Sequence, residues 1–333
     1  MPAWFFMATT AITPIPQPAE IPAAAVAVSP IPFELPEPEV EAGFDAGRTG
    51  FTVTTPDGVV IGFDEFTLFV RPGETLDFVA SRPVHWLAEG EVLNEGEART
   101  EHAWQAAQAP GLHDLTLAGD AGEVMTLHLV VMRQREAGDR QINGYAIGDY
   151  PAEPYRGQEN YRAPEFFVEV ADGIEDLPLS PHFTLGQFLC KQDSGEGPAY
   201  LVVSERLVIK LENILDAVNA HGWRTDGFTV MSGYRTPAYN AGLGNGANSR
   251  HIYGGAADIF IDTDGNGVMD DLNGDGSLDR RDAAALYDLV EGLAATGDEN
   301  WQAGGLGEYG PNSHHGAFVH VDERGWRARW GRS

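Results

Sequence analysis

The chain has 333 residues, more than one ordinary domain of about 100–200 residues holds, and its apolar fraction of 43% suffices for packed cores. With 50 acidic and 21 basic side chains the formal charge is −29, a field that repels duplex nucleic acid and excludes that class of partner. A single cysteine, Cys190, excludes an intrachain disulfide or a multi-cysteine metal site, and no apolar run reaches the roughly 18–20 residues of a membrane span.

Residues 1–48 are rich in proline, alanine and glutamate, a composition expected to form an extended, disordered tether. Over 49–133 short β-rich runs alternate with turn residues: "FTVTT", "GVVIGF", "FTLFV", "ETLDFVA", "VHWLA", "HDLTLAG" and "VMTLHLVVM". Six or seven such strands predict an antiparallel, immunoglobulin-like all-β sandwich. Its histidines, His85, His102, His113 and His128, are scattered and make no catalytic constellation, so the module is expected to bind, space or dock, with a partner the sequence does not identify. Residues 134–175, rich in glycine, proline and tyrosine, read as an ordered connector with little regular structure.

A second domain, 176–333, opens at "SPHFTLGQFLCKQ". Leu207, Leu211, Ile214, Leu215 and Val218 have helical spacing, and His221-Gly222 ends that helix. "FTVMS" and "AADIFI" read as strands, "AAALYDLVEGLAATG" as a second amphipathic helix, and "GAFVHVD" as a late strand, which together predict an α+β fold.

The stretch "NSRHIYGGAADIFID" places His251 seven residues before Asp258, with small residues between them that allow a tight turn. A catalytic zinc takes three protein ligands and keeps one position open. His251 and Asp258 supply a near pair, and His320 is the distant candidate. On its strand His320 shares a face with Phe318 and Asp322, while Val319 and Val321 face the core. By spacing alone an ordinary turn into a strand remains an alternative.

"SGYRTPAYN", "SRHIYGGAAD", "GGLGEY" and "FVHVDERGWRARW" follow one another in this order, and together they resemble the zinc D-alanyl-D-alanine peptidase family, in the branch of small murein carboxypeptidases and endopeptidases. The resemblance covers about 176–330. It implies a hedgehog/DD-peptidase-like fold, zinc held by His251, Asp258 and His320, and a substrate contact from Arg235, whose guanidinium can grip a peptide carboxylate or carbonyl. It further implies metal-assisted amide hydrolysis of peptidoglycan stem peptides. Many members carry a carboxylate three residues before the last histidine ligand, where this chain has Ala317. The general base must then come from elsewhere: Asp322, equally readable as a partner that orients His320, or His315, with His314 beside it. Such a substrate implies a periplasmic or secreted protein, although "MPAWFFMATTAI" is an incomplete export signal. A binding protein with a degenerate metal domain, or a calcium-dependent structural or adhesive protein, are the alternatives.

Between the Asp258 strand and the second helix lies "DTDGNGVMDDLNGDGSLDRRD", 262–282. Asp271, Asn273, Asp275, Ser277, Asp279 and Asp282 fall at positions 1, 3, 5, 7, 9 and 12 of a calcium loop, with Gly276 at position 6 and Ser277 offering its carbonyl. Asp262, Asp264, Asn266 and Asp270 make a partial second copy. A structural calcium that pins the insertion is expected.

Overall fold

The computed structural model describes residues 43–93, 96–195, 197–295 and 301–332, all within one compact unit spanning 37–333. The expected tether therefore lies outside the described residues as far as residue 42. No helix among the described residues is long and apolar enough to cross a membrane.

From Arg48 to Val131 the chain is all β, consistent with an immunoglobulin-like sandwich. The strand order is Val60–Phe63, Arg48–Thr54, Thr75–Ala88, Gly111–Ala118, Val124–Val131, Glu65–Val70, and Glu91–Val92 and Arg99–Gln105 also pair with Thr75–Ala88. Alternate residues point inward: Phe78, Ala80, Val84 and Trp86 on one strand, Met125, Leu127, Leu129 and Val131 on another. Three features differ from the sequence reading. "ETLDFVA" and "VHWLA" are one continuous strand, because exposed Pro83 sits inside a register shift between Val79 and Val84, where a missing N–H is tolerated. The largely exposed "RTEHAWQ", Arg99–Gln105, is a strand although its polar composition hid it. Glu65–Val70 and Val124–Val131 pair in parallel, a pairing that requires the intervening strands as its crossover.

The connector is woven into the fold. Arg133–Gln134, Phe166–Val170 and Ala199–Leu201 form a three-stranded sheet, and Gln141–Ile142 pairs with Tyr145–Ala146. Helix α1 (Glu205–His221) ends at Gly222, whose φ of +103° is the left-handed cap that glycine favours. Helix α2 (Pro237–Gly242) is capped by Thr236, and α3 (Arg280–Ala295) begins at Arg280 rather than near Ala283. Helices α1 and α3 pack beside a five-stranded sheet ordered Thr229–Ser232, Ala256–Phe260, Phe318–Asp322, Gly305–Tyr309, Ala328–Trp330. Ala257, Ile259, Val319 and Val321 join Leu207, Leu211 and Leu286 in a core that runs on without a break into the sandwich residues. Polar contacts tie the two halves as well: Thr67 Oγ1 donates to the Pro178 carbonyl at 2.5 Å, and Glu205 Oε1 accepts from the Phe69 amide at 3.1 Å.

Candidate active site

Ser232, Asp258, His320, Gly307 and Trp330 stand in register across the five strands of the C-terminal sheet. Residues directly opposite one another share a face, so the pairing alone brings Asp258 to His320. His251 arrives from the short 3-10 turn Arg250–Tyr253 just upstream of the Asp258 strand. His251 Nε2, His320 Nδ1 and Asp258 Oδ1 then form a triangle with edges of 3.2, 2.8 and 3.3 Å. A tetrahedral zinc with bonds of about 2.0–2.1 Å needs its ligand atoms about 3.3 Å apart, so the triangle is close to one face of that tetrahedron. All three residues are buried.

The protons around the triangle argue in the same direction. His251 Nδ1 donates to the Gly233 carbonyl at 2.7 Å, which leaves Nε2 with a lone pair toward the centre. His320 Nε2 donates to Asp322 Oδ2 at 3.1 Å, which leaves Nδ1 facing inward in the same way. With both rings neutral, two imidazole lone pairs and a carboxylate oxygen converge with no donor between them, an arrangement that suits a cation. Without one the demand falls on protons. Burial opposes charging of His320, yet its hydrogen bonds to Asp258 and Asp322 more than offset this and push its pKa up to about 9. Burial likewise opposes ionisation of Asp258, but the two imidazoles hold its carboxyl well below the usual carboxylate range. Burial lowers the pKa of His251 and favours the neutral imidazole that a metal requires.

Each ligand is gripped from behind. Arg235 donates through Nε to Ser232 Oγ at 2.7 Å and through Nη2 to Asp258 Oδ2 at 2.5 Å, so one carboxylate oxygen is held and the other faces the triangle. Gly233 packs against Phe188, where a side chain would collide with that residue's backbone. The domain-opening segment therefore braces the "SGYR" turn, and Tyr234 N donates to the Phe188 carbonyl at 2.9 Å.

The sequence reading missed the support of the His251 turn. Arg250 is buried, pairs with buried Glu323, donates to the Asn160 carbonyl and lies over the Tyr161 ring at 4.6 Å. A β-carbon on Gly255 would overlap both Arg250 Nη2 and Glu323 Oε1, so the glycine there makes room for a buried ion pair, in addition to easing a turn. Tyr150, Tyr155, Tyr161, Tyr253 and Trp326 pack around Ile252, with Tyr150 Oη donating to the Ile252 carbonyl at 2.9 Å. The tyrosine-rich composition of 150–161 was the available signal.

A cleft of about 580 Å³ opens over the triangle, with Met231, Arg235 and Ser249 on one side and Tyr309, His315 and Trp330 on the other. Arg235 lines it, although its hydrogen bonds go to Ser232 and Asp258. His315 stands in the cleft wall, Nδ1 donating to the Gly316 carbonyl at 2.7 Å and Nε2 accepting from Asn312 Nδ2 at 2.6 Å. His314 is exposed, and its amide donates to Asn312 Oδ1. Asp322 does not suit the general-base role given to it as one reading of the sequence. It is fully buried behind His320, and it accepts from Gly305 N at 2.7 Å and from Arg324 Nη2 at 2.5 Å. Burial opposes its ionisation, but His320 and Arg324 hold its carboxyl far below the usual range, which makes it a poor proton acceptor. Its place is that of an orienting partner for the ligand ring.

In the acidic insertion, Asp271 accepts from the amides of Gly274, Asp275 and Gly276, and buried Asp282 reaches back to the amides of Leu272 and Asp279. Asn273 and Asp275 accept from the amides of Asp275 and Ser277. Arg281 pairs with Asp275 and Asp279. In the partial copy, Asp262 accepts from Asn266 and Gly267, Asn266 Oδ1 accepts from the Val268 amide, and carboxylate oxygens of Asp262, Asp264 and Asp270 lie within 4.8 Å of one another. The two loops share the turn bonded to their first aspartate, but Asp271, Asp275, Asp279 and Asp282 do not form such a cluster among the described residues.

Residues 181–269 match the family described as Peptidase M15. The matched segment carries His251 and Asp258, and the His251–Asp258–His320 cluster is consistent with the active site of such a zinc peptidase; His320 lies beyond the matched residues. No curated protein matches the chain.

Proposed function

We propose that this protein is a zinc-dependent peptidase that hydrolyses peptidoglycan stem peptides outside the cytoplasm. The observation that carries the reading is the buried triangle of three inward-facing acceptor atoms on the floor of an open cleft. Zinc, when bound, acts as a Lewis acid on the scissile carbonyl and acidifies water. The chain's own residues do the rest. Arg235 and Ser232 fix the Asp258 carboxylate, Gly233 and Asp322 fix the two imidazole rings, and the tyrosine cluster shields the His251 turn. His315 is the proton carrier that the cleft offers: its Nε2 takes a proton once the Asn312 amide gives way, and delivers it to the departing amine. Substrate chemistry and export rest on the family resemblance and the weak N-terminal signal.

A second reading, a wall-peptide-binding domain without turnover, is favoured by one observation: Asp258 is the only carboxylate among the described residues that line the cleft. Incubation with muropeptides, with and without zinc, followed by mass analysis separates the two. Cleavage that vanishes in His251→Ala supports the enzyme, and intact substrate at full zinc occupancy supports the binder. For the insertion we propose a structural calcium at the Asp271–Asp282 loop, supported by its ligand spacing, with the Asp262–Asp270 loop as a second site.

A further inference from the structure

A cavity of about 850 Å³, larger than the metal cleft, lies where the sandwich, the connector sheet and α1 meet. Phe69 of the sandwich, Phe166 of the connector and Val203 just before α1 line it with apolar surface. Glu205, the first residue of α1, stands among them. Its Oε1 accepts from the Phe69 amide at 3.1 Å, while Oε2 has no hydrogen-bond partner among the described residues. No described lysine or arginine pairs with this carboxylate; the neighbouring Arg206 turns instead to the Asp57 carbonyl at 2.9 Å. Burial without a counter-ion pushes the carboxyl up to about 7. Tyr253, which also lines the cavity, is only 7% exposed, and its hydroxyl has no hydrogen-bond partner either.

The walls decide what the carboxylate lacks. Five carboxylate side chains line the cavity against two arginines, so its field favours a cation. Arg162 is held by two hydrogen bonds to Glu159, and Arg71 is exposed and lies over the Phe166 ring at 5.4 Å, so neither neutralises Glu205. A bare divalent ion asks for several oxygen ligands at once, and no such cluster occurs here among the described residues. A guanidinium takes both oxygens of a carboxylate side by side, and one of them is already engaged by the Phe69 amide. An ammonium needs a single oxygen, and the methylene chain that carries it suits the apolar walls.

We propose that this cavity binds the side chain of a lysine-type residue in a peptide, with the ammonium paired to Glu205 and the methylenes packed on Phe69, Phe166 and Val203. The site is separate from the metal cleft, and the assignment does not depend on turnover there. Tyr253 belongs to the same short turn as His251, so the two sites meet at one piece of backbone.

The test uses the zinc-loaded full chain and two blocked tripeptides, acetyl-Leu-Lys-Leu amide and its norleucine counterpart, which keeps the side-chain carbons and lacks the ammonium. By calorimetry the lysine peptide should bind with a Kd about tenfold or more below that of the norleucine peptide, the worth of one charge-assisted hydrogen bond. Glu205→Gln should bring the two within about threefold of each other. A ratio near one in the unaltered chain, a ratio that does not move in Glu205→Gln, or no binding of the lysine peptide at millimolar concentration overturns the proposal. Should Glu205→Gln fail to fold, carbodiimide coupling on the unaltered chain decides: a lysine amine joined to Glu205, located by peptide mass mapping, supports the site, and coupling confined to other carboxylates overturns it.

Discussion

Asp258 and His320 face each other across two antiparallel strands, paired residue to residue, with Oδ1 2.8 Å from Nδ1. The candidate metal centre is thus built into the hydrogen-bond ladder of a sheet rather than hung on a loop, and only His251 depends on a turn. Strand-borne ligands have little freedom, so the geometry exists before any ion arrives.

Asp322 is expected to act through His320. Asp322→Asn should still bind zinc at one equivalent, but with affinity lowered about 10–100-fold, and with activity restored by excess zinc. Calorimetry with zinc checks this. Unchanged affinity with a collapse in turnover would instead make Asp322 the base.

His315→Ala should retain zinc and lose turnover by about 10²–10⁴-fold, the usual range for a removed acid–base group. Metal analysis beside steady-state kinetics distinguishes this outcome from a folding defect. Turnover close to that of the unaltered chain would send the search for the base elsewhere.

The meeting of His251, Asp258 and His320 was legible through the motifs of the family resemblance, since spacing alone left an ordinary turn open. Arg250 and Glu323 were not. By type both read as surface charges, and nothing local reveals that they meet in the interior, 73 residues apart. The tyrosines of 150–161 were read as a connector for the same reason: their partners, Ile252 and Trp326, lie far downstream. In the sandwich, alternation exposed the inward strands, but the pairing of Glu65–Val70 with Val124–Val131 is a tertiary fact that no local pattern carries.

Gly255→Ala should destabilise the protein by about 3 kcal/mol, since the methyl group must displace one member of a buried ion pair. Urea denaturation measures the loss. A variant as stable as the parent would show that the pair yields without consequence.

Glu205 gives a pH dependence with a definite sign. Burial pushes its carboxyl from the ordinary 4.5 up to about 7. Between those values the folded chain binds the proton more tightly than the unfolded chain, so this group's contribution to stability falls as pH rises from about 4.5 through 7. Glu205→Gln should flatten that part of the urea-midpoint profile. Parallel profiles for the two proteins would refute the assignment.

Calcium at millimolar concentration should raise the melting temperature of the zinc-loaded protein, and Asp271→Ala should diminish the rise, with what remains lost on Asp262→Ala. Indifference to calcium would leave the insertion as a self-bonded acidic turn.

The Asn160 carbonyl and the Tyr161 ring, which clasp Arg250, come from the middle of the chain, whereas the residues they steady come from its last third. A ribosome finishing this polypeptide releases the histidine turn long after its clasp has been made. Uptake of the proposed zinc would consequently report on assembly: a chain whose midsection has failed to dock would be a poor chelator even with His251, Asp258 and His320 intact.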